Sequence, residues 1–91
     1  MARIYQTTEM GEAHLRISIV SHREADLLVH RENSSGLAQG DAHWYITRDK
    51  QVATAWVFFT SHSMAQVSIC FVDSRGEAGW QRPSPYRGRF G

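Results

Sequence analysis

"IVSHREA" at residues 19–25 and "VDSRGEA" at 72–78 end two separate apolar runs on nearly the same phrase. In each, a serine is followed three places on by glutamate and four places on by alanine. Searching the chain for a cap-like residue four places before an alanine finds six cases in order: Glu9/Ala13, Ser21/Ala25, Ser34/Ala38, Asp49/Ala53, Ser61/Ala65 and Ser74/Ala78. Successive alanines lie 12 to 15 residues apart, so the chain reads as an internal repeat of mostly 12–13 residues. The phrase has a physical basis. A Ser or Asp side chain at an N-cap accepts from a backbone N–H two or three residues on, and a Glu at the third helical position reaches back to the cap. Ser21 with Glu24 and Ser74 with Glu77 fit this box; Ser34, Asp49 and Ser61 keep the cap alone, and Glu9 is a poor cap.

Between the caps lie "RIYQT", "LRISIV", "LLVHR", "HWYIT", "AWVFFT" and "VSICFV". They are short and rich in β-branched and aromatic residues, as strands are. Leu15, Ile17 and Ile19 alternate with Arg16 and Ser18, and Val67, Ile69 and Phe71 alternate with Ser68 and Cys70, giving one apolar face each. The unit is therefore a strand followed by one capped helical turn. Such a turn covers only about 7 Å, whereas returning along a strand takes roughly 17–20 Å. A parallel neighbour normally needs a crossover of a dozen residues or more. This reasoning predicts a mainly β fold of six short strands in an antiparallel up-and-down sheet or small barrel, with a β-solenoid as the alternative.

Ninety-one residues make one small domain with a thin core. The net charge of +1 is unlike that of a whole-domain nucleic-acid binder. The charge is uneven, however, because residues 79–91 carry Arg82, Arg87 and Arg89 and no acid. The chain divides into a repeat-built body, residues 1–80, and a basic, aromatic tail, 81–91. A single cysteine, Cys70, excludes an internal disulfide and a zinc site of several cysteines. No apolar run reaches membrane-spanning length, so the expected setting is soluble and cytoplasmic, without membrane contact.

"VDSRGEAGW" at 72–80 and "GDAHWY" at 40–45 resemble a family of small bacterial proteins of unknown function built from repeated V-D-S-R-x-E-A-D units. The resemblance runs from "RIYQTTEMGEA" to Trp80. "VSHREAD" at 20–26 keeps much of the unit, while Glu9 and Asp49 stand in place of its serine. It implies a small repetitive bacterial protein and supplies neither an activity nor a catalytic residue.

Three kinds of function can be set against these residues. An antiparallel meander gathers His14, His43 and His62 on one rim near Asp41, which would make a transition-metal or metal-dependent hydrolytic site. Ser-His neighbours such as Ser61-His62 lack the third group that poises a base. The tail residues Trp80, Arg82, Tyr86, Arg87, Arg89 and Phe90 could contact single-stranded nucleic acid, arginines on phosphates and rings on bases, or could instead cover an apolar face. Open sheet edges and apolar side chains favour self-association. The sequence thus reads as a non-enzymatic structural or interaction module, a homo-oligomer or partner of another protein, that needs no cofactor.

Overall fold

The computed structural model describes residues 2–91. The six apolar runs form β1 (Ala2–Gln6), β2 (Leu15–Ile19), β3 (Leu27–Arg31), β4 (His43–Ile46), β5 (Ala55–Phe59) and β6 (Val67–Phe71), and a short β7 (Gly79–Trp80) follows. Their period-two alternation is what makes a core. Ala2 and Ile4, Leu15 and Ile17, Leu27 and Val29, Ala55 and Val57, and Val67 and Ile69 all point inward and are at most 1% exposed. Cys70, on the outward face of β6, is only partly buried.

The strand directions overturn the antiparallel expectation. β1 to β6 are all parallel, in the order β4-β1-β5-β2-β6-β3, and β3 pairs again with β4 to close a six-stranded barrel. Of the described strands, only β7 is antiparallel, against Leu27 and Leu28 of β3. A solenoid is excluded as well, because β5 separates β1 from β2 and β6 separates β2 from β3. The first three strands and the next three make two passes around one barrel, interleaved.

Stagger explains how such short turns link parallel strands. A short turn fails to reach a parallel neighbour only where strands lie flush, so that the chain must travel back along a full strand. Here the registers, followed once round the barrel, displace the starting residue by about twelve positions, which tilts the six strands by about 55°. β1 therefore ends where β2 begins, on opposite sides of the same point of β5. Thr7 N–H, just after β1, donates to Val57 O at 2.9 Å, and His14 N–H, just before β2, donates to Trp56 O at 2.8 Å. The turn between them steps over one strand, about 10 Å at the usual ladder spacing. The same pair of bonds recurs from Val20 and Asp26 to Ile69 and Ser68, from Thr47 and Thr54 to Ile4 and Arg3, and from Thr60 and Gln66 to Ile17 and Arg16.

Each of these crossings is clamped by the residue that follows its alanine. His14 Nδ1 accepts Trp56 N–H, Asp26 Oδ2 accepts Ser68 N–H, Thr54 Oγ1 accepts Arg3 N–H and Gln66 Oε1 accepts Arg16 N–H, at 2.9–3.0 Å. One residue thus both donates its backbone N–H to the crossed strand and accepts that strand's N–H on its side chain. The crossed strand's outer backbone groups are satisfied where no neighbouring strand could lie flush.

The turns themselves stand where the repeated phrase placed them. Four are single 3-10 turns, Met10–Glu12, Ser35–Leu37, His62–Met64 and Arg75–Glu77; the crossings at 21–25 and 49–53 are hydrogen-bonded turns without a 3-10 segment. The capping chemistry is less uniform than the phrase. Ser34 accepts from Gly36 N–H at 3.3 Å and Asp49 from Gln51 N–H at 2.9 Å. Ser21 instead donates to Glu24, Ser61 meets Ser63, Ser74 makes no side-chain cap bond, and Glu77 faces His22 at 3.3 Å.

The first turn holds a small charged device. Glu12 accepts from the Thr7 hydroxyl and lies 3.2 Å from Lys50 Nζ, and these two partners hold its carboxyl below the ordinary value of 4.5. A lowered folded-state pKa contributes stability above the unfolded value and loses it as pH falls through the folded one. Glu12→Gln is therefore expected to lower the melting temperature slightly at neutral pH, with the gap to wild type closing in acid. An undiminished gap in acid would rule this contribution out.

Candidate functional site

The tail and the strand ends make the two mouths of the barrel different. At the end where the strands begin, Phe90 is fully buried and its ring lies 5.2 Å from that of Trp44 and 6.2 Å from that of Trp80. Asp41 fastens this plug: its carboxylate accepts from Trp80 Nε1 at 2.9 Å, Gly88 N–H at 2.6 Å and Phe90 N–H at 3.2 Å. Gly40 at φ 61° makes the left-handed turn that presents Asp41. The Gly40-Asp41 turn, in the longest step between successive alanines (Ala38 to Ala53), thus anchors the tail.

At the other end, the last inward side chain of each strand lines an open mouth. Gln6, Ile19, Arg31, Ile46, Phe59 and Phe71 surround it, over a floor of Ile4. Ile19 is 59% exposed and Ile46 is 43% exposed, far from the core values of their strand neighbours. Arg31 lies over the Phe71 ring, 5.0 Å from its centroid. A second cleft adjoins the mouth, where His30, Glu32, Asn33, Val72 and Asp73 join Arg31, Ile46 and Phe71.

A polar cluster borders that cleft on the outer face of the seam between β3 and β4. His30 pairs in register with His43, so their rings sit side by side, centroids 6.2 Å apart. Glu32, two residues past His30, falls on the same face by strand periodicity. Its Oε2 accepts from His30 Nδ1 at 2.7 Å and His43 Nδ1 at 3.0 Å, and Arg75 reaches Oε1 at 3.3 Å. Burial pushes the Glu32 carboxyl up, but the two imidazole hydrogen bonds and the Arg75 charge outweigh it and leave its pKa below 4.5.

The residues expected at a metal rim do not meet as one set. His43 belongs to the seam cluster. His14 is a strand clamp, stacked on Trp56 with ring centroids 5.3 Å apart. His62 Nδ1 lies 3.3 Å from the Ser68 hydroxyl, and Asp41 anchors the tail. Sequence reasoning missed His30 and Glu32 because it gathered histidines on one rim of an antiparallel meander, which the parallel barrel does not have. On a strand, the signal was His-x-Glu.

The tail is likewise committed in part to the barrel. Phe90 and Trp80 belong to the plug, Arg82 binds Asp26 at 2.8 Å and three nearby carbonyls, and the Tyr86 hydroxyl accepts from Gln66 at 3.4 Å. Arg87 and Arg89 are exposed.

Fold and site together define a small closed parallel β-barrel whose two chain passes interleave, with a plugged end and an open one. The family model described as the 7(1) septoil knot domain matches residues 1–81, and the chain belongs to that family. No curated protein and no solved structure matches the chain. Among the described residues, no helix is long and apolar enough to cross a membrane.

Proposed function

We propose that this domain is a non-enzymatic module that self-associates through its open mouth. The observation carrying this reading is the apolar ring at the strand ends, above all Ile19 at 59% exposure, beside an opposite end already filled by Phe90. A two-fold contact needs a self-complementary patch. Arg31 and the exposed Asp73 flank the shared apolar residues Ile46 and Phe71 from the mouth and its adjoining cleft. A second copy turned by half a rotation can set Arg31 of one protomer toward Asp73 of the other while both mouths lose water.

Sedimentation over a range of concentrations tests this. The wild-type protein is expected to associate, and Ile19→Arg to weaken association roughly tenfold or more by placing a charge in the contact. Because Ile19 is exposed, the variant should keep its far-ultraviolet circular dichroism and melting temperature. A strictly monomeric wild type, or a variant that associates equally well, overturns the proposal.

A further inference from the structure

The seam between the two passes carries a group with its own chemistry. Among the described residues, His30, Glu32 and His43 form a group whose ligand atoms all lie within 4.8 Å of one another. We infer that this trio is a binding site for a divalent first-row transition ion such as zinc or iron(II). It is independent of the proposed self-association.

Two imidazoles and one carboxylate are the donor set such ions prefer, whereas magnesium and calcium favour oxygen ligands alone. Metal–ligand bonds of about 2.0–2.2 Å at tetrahedral angles put donor atoms about 3.4 Å apart. The present separations from Glu32 Oε2, 2.7 and 3.0 Å, lie a few tenths of an ångström inside that. A small opening of the cluster would admit an ion in place of the two Nδ1 protons, which move to Nε2 or leave.

Glu32 is prepared for the role. Its side chain is only 3% exposed, and Arg75 occupies Oε1, which leaves Oε2 directed at the two imidazoles. Such outer partners orient a ligand carboxylate and sharpen its affinity. The histidine side chains keep 18% and 21% exposure, so the group is open to an arriving ion and has room for a ligand beyond the protein's three. Placement gives the ion a structural consequence too. β3 and β4 join the first pass to the second, and an ion across His30 and His43 would staple that closure.

Cobalt(II), whose visible absorption reports its ligands, and zinc are the probes. The full chain should bind one cobalt(II) with visible bands, zinc should displace it, and zinc should raise the melting temperature reversibly on chelation. His43→Ala and Glu32→Gln should each weaken binding roughly tenfold or more, and His62→Ala should leave it unchanged. If Glu32→Gln fails to fold, His43→Ala, at a partly exposed outer position, still decides the matter. Wild-type protein that binds no ion, or His43→Ala protein that binds as wild type does, overturns the inference.

Discussion

Phe90→Ala is expected to destabilise the domain by about 3–5 kcal/mol, the usual cost of emptying a fully buried aromatic site. That is a large share of the stability of so small a protein. The ring is fully buried and closes one end of the barrel against Trp44. Asp41→Ala is expected to cost about 2–3 kcal/mol, because three donors lose one charged acceptor. The two changes act on one latch, so the double variant should lose clearly less than the sum of the single losses. Urea unfolding of the four proteins measures this. Full additivity, or a loss below about 1 kcal/mol for Phe90→Ala, would mean that the tail does not plug the barrel.

The plug shows where a sequence argument reaches and where it stops. The strands and turns were legible because both rest on local chemistry: alternation in "LRISI" and "VSICF", and Ser or Asp before five of the six turns. Strand direction was not, because it depends on stagger, and stagger is set by pairings between residues some 40 to 50 positions apart. An inference from turn length was sound for flush strands and failed for tilted ones. The site followed the same rule. His30 and Glu32 share a face by strand period alone and could have been paired on paper, but His43 joins them only through the β3–β4 register. Asp41 looked like a ligand because its partners in the tail are nearly fifty residues away.

The repeat itself acquires a sharper meaning from the clamps. In "VSHREAD" the last aspartate, Asp26, is the residue whose side chain holds Ser68 N–H while its own N–H holds Ser68 O. His14, Thr54 and Gln66 occupy the corresponding place after their alanines, so the position requires an acceptor rather than one residue type. Asp26→Ala is therefore expected to cost about 2–3 kcal/mol, since it strands the N–H of Ser68, a residue only 5% exposed, and frees Arg82. Asp26→Asn keeps an acceptor and should cost under about 1 kcal/mol. Chemical denaturation gives the magnitudes, and amide hydrogen exchange gives the place: Ser68 should exchange slowly in wild type and Asp26→Asn, and rapidly in Asp26→Ala. If Asp26→Ala left both stability and Ser68 protection unchanged, the clamp would be incidental and the interleaving of the two passes would rest on the strand ladders alone.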